Sequence, residues 1–263
     1  MADCAYRPQV LHWARRYSAN PHRFAANLEQ AMPFLLLVAD QIEQRDLPGE
    51  LALLPYLESG YRPLRSKGNR PAGMWQIMPA TARAVGLQIT PDYDGRLDAL
   101  ASSTAALKLL ARYHTEFGDW RLADMAFNAG EYRMKRALGE RDAHALSAAE
   151  LARLKIRHTT TEHLDKLLGL ACVIQQPGRF GVTLPDADSG DMLQTVDLES
   201  GMSLRDVARF ASMDLGEVKR FNACYLDPRA SNSPSHFLLP ANRIDGFRAA
   251  AGASAATPLA DSH

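Results

Sequence analysis

The sequence predicts a mainly helical protein that ends in a small β-α-α-β module. Apolar residues recur at helical spacing through the first 180 residues, and proline and glycine separate the helical stretches. A break in composition, rich in proline, glycine and aspartate, follows at residues 176–190, and we interpret it as a linker. Beyond it, two stretches typical of β-strands flank two short helical ones. At 263 residues the chain is long enough for one large domain or two unequal ones.

Two helices of the first part can be placed from their apolar residues. Apolar side chains at helical spacing between Leu107 and Phe117 predict one helix, and Asp98 is a suitable N-cap for it. A second helix is expected from about Thr159 to Gln175, with an apolar face that includes Cys172. A free cysteine on such a face is most simply a small buried apolar residue.

The β-α-α-β module is predicted from a strand, two capped helices and a second strand. Its elements are a strand at Leu193–Leu198, helices at Ser203–Ser212 and Asp214–Asn222, and a strand at His236–Pro240. Serine and aspartate are strongly preferred N-cap residues, so both helices have a well-defined start. We expect domains at residues 1–185 and 190–248, and disorder in the Ala/Ser-rich tail at residues 249–263.

Composition and the absence of several motifs exclude whole classes of function. Lys+Arg and Asp+Glu are both 30, so the formal net charge is +0 and no nucleic-acid partner is expected. The chain has no Gly-x-Ser-x-Gly, Walker or Gly-x-Gly-x-x-Gly motif and no zinc-ligand spacing, so we expect no metal and no cofactor. No apolar run approaches the roughly 20 residues of a transmembrane helix. The three cysteines are too few for a disulfide framework and do not indicate a compartment, and the first residues lack a signal-peptide pattern.

The strongest chemical signal is a single glutamate at the end of an apolar helix. Glu58 follows the apolar stretch 51–57, and Gly60 is placed to stop the helix directly after it. A carboxylate that opens into a loop beside apolar Met74 and Trp75 would be partly desolvated, which raises its pKa as a general acid requires. The alternative is an exposed glutamate at a frayed helix end, which is the usual environment of this residue type.

Three ordered motifs that begin at Glu58 are characteristic of one family. They are Glu58-Ser59 with Pro63 and Ser66, then Gly73-Met74-Trp75-Gln76 with Pro79, then Ala126-Phe127-Asn128-Ala129-Gly130. In this order they resemble the family 1 lytic transglycosylases, which are lysozyme-like enzymes that cleave peptidoglycan. The resemblance covers residues 6–185 and implies a lysozyme-like helical catalytic domain.

The resemblance implies a mechanism with one catalytic carboxylate, whereas most glycosidases use two. The glutamate, here Glu58, would protonate the glycosidic oxygen between N-acetylmuramic acid and N-acetylglucosamine. It would then deprotonate the muramic 6-hydroxyl, which closes a 1,6-anhydro ring, with the N-acetyl group assisting in place of a second carboxylate. The substrate-binding residues that the resemblance implies are Ser66, Met74, Gln76, Phe127, Asn128 and His163. The expected partner is the peptidoglycan glycan strand, for a monomer in the periplasm or cell envelope of a Gram-negative bacterium.

At three positions the chain departs from the family pattern. The family serine falls at Lys67, one residue after Ser66, so either the loop slips by one residue or the hydrogen bond of that serine is lost. Phe127 replaces a tyrosine and lacks its hydroxyl. His163 replaces a tyrosine that orients the catalytic glutamate in the family, and we hypothesise that it takes that role. The alternative is a surface histidine.

Two further features bear on binding of the polymer. The loop 61–71 holds four cations and no acid, namely Arg62, Arg65, Lys67 and Arg70. It is predicted to attract the carboxylates of peptidoglycan weakly, although a run of charges is usually just a solvated surface. The C-terminal module resembles a LysM module, which binds N-acetylglucosamine chains, but it could instead simply pack on the catalytic domain.

Two other functions fit the same residues. A goose-type lysozyme hydrolase would use the same glutamate with water as the acceptor, and Asp92, Asp94 and Asp98 are available to position that water. A non-catalytic peptidoglycan-binding protein is favoured by the departures from the family pattern. The retention of Glu58 and Gln76 argues against it.

Overall fold

The computed structural model describes residues 4–5, 7–139, 141, 146–197, 202–226 and 236–255. The helices of its first part are α1 (Pro8–Tyr17), α2 (Pro21–Glu43), α3 (Leu54–Ser59), α4 (Pro79–Ala84), α5 (Ala99–Phe117), α6 (Trp120–Ala129), α7 (Glu131–Leu138), α8 (Ala148–Ala152) and α9 (His158–Gln175). The last part contains β1 (Leu193–Asp197), α10 (Leu204–Phe210), α11 (Leu215–Phe221), β2 (His236–Pro240) and α12 (Ala241–Ala255). The predicted mainly helical fold with a small β-α-α-β module is confirmed.

The predicted helix starts are confirmed by their capping hydrogen bonds. Asp98 precedes α5, and its Oδ1 accepts a hydrogen bond from the Ala101 backbone N–H at 2.8 Å. Ser203 caps α10 and Asp214 caps α11, each through side-chain oxygens that accept backbone N–H groups of the first turn. These bonds satisfy donors that a helix leaves unpaired at its N-terminus.

The β-α-α-β module is built around a two-stranded antiparallel sheet. Strands β1 and β2 pair so that Thr195 faces Leu238 and Val196 faces Phe237. The last residue of the first predicted strand, Leu198, lies outside the described residues. Helix α12 extends through residues 249–255, for which the sequence predicts disorder, because alanine is the strongest helix former. Residues 256–263 of that predicted tail lie outside the described residues.

The chain divides into two compact units that do not follow chain order. The first unit comprises residues 1–31, 38–61 and 103–186, and the second comprises residues 32–37, 62–102 and 187–263. Residues 62–102 thus share a unit with the β-α-α-β module. The domain boundary expected between residues 185 and 190 stays a prediction. Among the described residues, no helix combines the length and the apolar composition that crossing a bilayer requires.

In the first unit, α9 is the central helix, and α1, α3 and α6 pack against it. Gly169 lets α1 approach closely, because a Cβ at this position would lie 2.8 Å from both the Trp13 Cβ and the Val10 carbonyl oxygen. Cys172 forms a disulfide with Cys4, 168 residues away. The interpretation of Cys172 as a free apolar residue is therefore wrong, because the packing of α1 on α9 brings the chain's start to the end of α9.

In the second unit, residues 62–102 pack into the same core as the module. Ala72, Tyr93 and Leu97 belong to one buried cluster with Val207 and Phe237. Polar contacts reinforce this packing. The Asp98 carboxylate accepts a hydrogen bond from the Tyr93 hydroxyl at 2.8 Å and lies 3.1 Å from His236 Nε2.

Several groups of the basic loop 61–71 form hydrogen bonds that stabilise the fold. Arg65 Nη2 donates to the carbonyl oxygens of Ala223 and Tyr225 at 3.1 and 3.3 Å. Arg96 binds the Asp94 carboxylate through two nitrogens and donates to the Arg70 carbonyl oxygen at 2.9 Å. Hence the Arg65 side chain and the Arg70 backbone help to hold the loop to its own unit.

The disulfide is expected to stabilise the protein by about 3 kcal/mol, because it closes a long loop in the unfolded chain. Urea unfolding of the wild type should shift to lower concentration in reductant, whereas Cys4→Ser should unfold at that lower concentration with or without reductant. Cys224→Ala is the control, since Cys224 is the free cysteine of the described residues and this variant should keep the dependence on reductant. Equal unfolding of wild type and Cys4→Ser in oxidising buffer would contradict the prediction.

Candidate active site

Glu58 lies where the short helix α3 opens into a loop, as the sequence predicts. Pro55 occupies the first turn of α3, and Gly60 ends the helix in the left-handed conformation with φ 63°. The Tyr61 hydroxyl donates back to the Ala52 carbonyl oxygen and fastens the loop to the preceding turn. The Glu58 side chain is 19% exposed, so it is sheltered but still reachable from solvent.

His163 on α9 contacts Glu58 directly. Its Nε2 lies 3.1 Å from Glu58 Oε1, and its Nδ1 lies 3.1 Å from Asp124 Oδ1 and 3.3 Å from Oδ2. The residue is only 8% exposed, so the alternative of a surface histidine is wrong. The register of α9 turns this position inward, because α3 and α6 both pack against that face.

The charge of His163 is set by its two carboxylate neighbours. Burial alone would lower the pKa of the imidazole, but Asp124 and then Glu58 outweigh burial and raise the pKa of His163 to about 10. At neutral pH the ring is therefore an imidazolium that donates from both nitrogens. In this state it holds Glu58 on one side and Asp124 on the other.

Asp124 is a candidate site residue that the sequence analysis missed. It lies on α6 with a side chain that is fully buried. The signal was present, because Asp124 is a lone acid within the apolar stretch 122–126, and a buried charge needs a partner. What the stretch could not reveal was that the partner is His163, 39 residues away.

A second polar pair lies one helical turn from this cluster. The Thr160 hydroxyl donates to Asn128 Oδ1 at 3.0 Å. Asn128 follows Asp124 by four residues on α6, and Thr160 precedes His163 by three on α9, so each pair shares a helix face with the other. Phe127 is half-buried on the same α6 turn. The predicted residues Glu58, Asn128 and His163 thus belong to one unit.

The predicted site residues Ser66, Met74 and Gln76 belong to the second unit. Gln76 Nε2 donates to the Gly73 carbonyl oxygen at 2.7 Å, and Ser66 Oγ donates to the Arg70 carbonyl oxygen at 3.1 Å. Met74 is buried. These contacts order the loop that carries the second motif.

Gly73 is required by the backbone of this loop. Its φ is +80°, and a Cβ here would lie 1.7 Å from the Arg96 carbonyl oxygen. The glycine of the predicted motif is therefore structural, and it allows residues 94–97 to pass directly behind the loop.

The three aspartates that could position a water molecule in a hydrolase differ in whether their carboxylates are already bound by other side chains. Asp94 is buried and bound by the Arg96 guanidinium, and Asp98 is buried against Tyr93 and His236. Asp92 is exposed. Two of the three are thus committed to structural bonds. Within the described ranges, no cluster of His, Cys, Asp or Glu side chains could hold a metal ion.

The family model of the transglycosylase SLT domain matches residues 39–148, which include Glu58 and Asp124. The chain carries a transglycosylase SLT domain. A second family model, that of the LysM-like domain of lytic transglycosylase MltD, matches residues 192–256. The two matches confirm the predicted resemblance of both parts of the chain.

Three curated relatives are similar to parts of this chain. Membrane-bound lytic murein transglycosylase D of Escherichia coli K12 is 35% identical over 221 residues, which is 83% of this chain and 49% of that protein. A putative tributyltin chloride resistance protein of an Alteromonas species is 41% identical over 110 residues, 41% of this chain and 53% of that protein. Peptidoglycan transglycosylase gp16 of phage T7 is 36% identical over 124 residues, 46% of this chain and 9% of that protein. The chain spans about half the length of the first relative.

The ionisation of His163 can be measured by NMR titration of the histidine ring carbons. We expect His163 to stay protonated through pH 8 and to titrate at about pH 10, and Asp124→Asn to move its titration to lower pH. Because folding raises this pKa, the stabilisation is complete below about pH 6.5 and is lost as the pH rises through the folded value. The other histidines are internal controls. A wild-type His163 that titrates near pH 6.5 would contradict the assignment.

Proposed function

We propose that the chain is a lytic transglycosylase that cleaves the β-1,4 bond between N-acetylmuramic acid and N-acetylglucosamine and leaves 1,6-anhydromuramic ends. The observation that carries the proposal is the hydrogen bond between Glu58, which lies in the segment that matches the SLT domain, and the buried imidazolium of His163. The names of two relatives, a murein and a peptidoglycan transglycosylase, support the same substrate.

Glu58 acts first as an acid and then as a base. Its carboxyl proton passes to the glycosidic oxygen, so the bond to muramic C1 breaks and N-acetylglucosamine leaves with a free 4-hydroxyl. The N-acetyl oxygen assists at C1 in place of a second carboxylate. Glu58, now ionised, takes the proton of the muramic 6-hydroxyl as that oxygen bonds to C1. The carboxyl proton is thereby restored, and no water is consumed.

His163 positions Glu58 through this cycle. Its Nε2–H holds Oε1, which leaves the other carboxylate oxygen to exchange protons with the substrate. An isolated imidazolium would add one positive charge beside Glu58. Asp124 balances that charge, because it forms an ion pair with the same ring. With Glu58 ionised the three residues carry one net negative charge, and with Glu58 protonated they are neutral.

We also propose roles for the remaining residues and for the two parts of the chain. Asn128 and Phe127 of the first unit would contact the sugar. Ser66, Met74 and Gln76 of the second unit stay proposed substrate-binding residues, as the family resemblance implies. Residues 1–185 would form the catalytic domain and residues 190–248 the LysM-like one.

The Cys4–Cys172 disulfide supports an envelope location, since disulfides persist in oxidising compartments such as the periplasm.

The proposal is tested by mass spectrometry of purified sacculi after incubation with the protein, beside Glu58→Gln. We expect fragments that end in 1,6-anhydromuramic acid, reduced at least 100-fold in Glu58→Gln, because the amide cannot exchange the proton. Reducing ends from the wild type would instead indicate a goose-type hydrolase. No fragments from folded wild-type protein would favour the non-catalytic binding protein.

The role of His163 is tested by replacing it with tyrosine and with alanine. His163→Tyr should keep most of the activity, because a phenol hydroxyl can also donate to Glu58. His163→Ala should lose about tenfold or more in kcat, because Glu58 loses its hydrogen bond and Asp124 its counter-ion. Circular dichroism checks that each variant is folded, and the pH profile should shift in His163→Tyr. Unchanged activity in folded His163→Ala would exclude the role.

A further inference from the structure

A cavity of about 530 Å³ lies beside the polar pair Asn128–Thr160 in the first unit. Four cations line it, namely Arg133 and Arg136 from α7, and Lys155 and Arg157 from the segment that leads into α9. Its volume falls in the range of pockets that bind small ligands. We call it the cationic cavity.

The charges of the cationic cavity are not neutralised within the described part of the chain. Its lining contains no carboxylate, and none of the four cations forms an ion pair with a described residue. The nearby acid Glu131 on α7 is bound instead by Arg112 and Lys135. Four like charges around one cavity repel each other unless an anion enters, so the cavity favours an anionic ligand.

The position of the cavity connects it to the proposed chemistry. Asn128 and Thr160 form one of its walls, and both lie one helical turn from the Asp124–His163 pair that holds Glu58. One helical turn spans about 5 Å. A group bound in the cavity could therefore be part of the same ligand molecule as a sugar that reaches Glu58.

We propose that the cationic cavity binds the carboxylates of the stem peptide that a muramic residue carries, so that the protein prefers peptide-bearing over denuded glycan strands. The inference rests on the proposed function. A muramic residue without its peptide offers the one carboxylate of its lactyl group, whereas the stem peptide carries several carboxylates. Four cations around a cavity of this size match several carboxylates on a short peptide better than the single one of a lactyl group.

The test compares cleavage of intact glycan strands with strands from which an amidase has removed the peptides. The test variant is Arg136→Ala/Lys155→Ala, and the control is Arg83→Ala/Lys108→Ala, which removes the same charge from residues that do not line the cavity. All four side chains are exposed, so folding should be retained. The wild type and the control should show about fivefold higher kcat/KM on peptide-bearing strands, and the test variant should cleave both at the same rate.

Competition separates the possible sources of the anion. Free stem tetrapeptide should inhibit the wild type but not the test variant, whereas inorganic phosphate at equal ionic strength should inhibit neither. A wild type without preference, a test variant that keeps it, or equal inhibition by phosphate would overturn the inference. If the wild type cleaves neither substrate, the proposed function fails. Calorimetric binding of tetrapeptide to wild type and variant then still decides whether the cavity takes the peptide.

Discussion

The buried imidazolium of His163 is stabilised at both of its nitrogens, by Asp124 at Nδ1 and by Glu58 at Nε2. Removing one partner of a buried ion pair leaves an uncompensated charge and typically costs about 3–5 kcal/mol. Each partner comes from a different helix, with Glu58 on α3, Asp124 on α6 and His163 on α9. The same two contacts therefore charge the ring, orient the glutamate and join three helices of the first unit.

The placement of His163 depends in turn on how α9 is held. Gly169, six residues further along, permits the close approach of α1. The Arg7–Asp165 ion pair and the Cys4–Cys172 disulfide join the start of the chain to the same helix. A helix fixed at several levels along its length cannot easily rotate or slide, so the ring nitrogens stay within hydrogen-bond distance of both carboxylates.

Local sequence patterns predicted much of the fold, whereas contacts between residues far apart in the sequence were not predicted. The caps Asp98, Ser203 and Asp214 are readable because a capping bond spans only two or three residues. Glu58 is readable because Gly60 marks the end of its helix. Asp124 and the Cys4–Cys172 bond were missed, since contacts 39 and 168 residues apart depend on how α1, α6 and α9 pack. The spacing of apolar residues shows which face of a helix is buried, but it does not show which other helix packs against that face.

A histidine in place of the family tyrosine changes what the site requires. A neutral phenol can hold a carboxylate oxygen without adding charge, whereas an imidazolium adds a positive charge beside Glu58. The buried carboxylate of Asp124 offsets this charge, because it pairs with the ring from the other side. The histidine at 163 and the acid at 124 therefore form one charge-paired unit, in which the ring has its counter-ion in the same buried core.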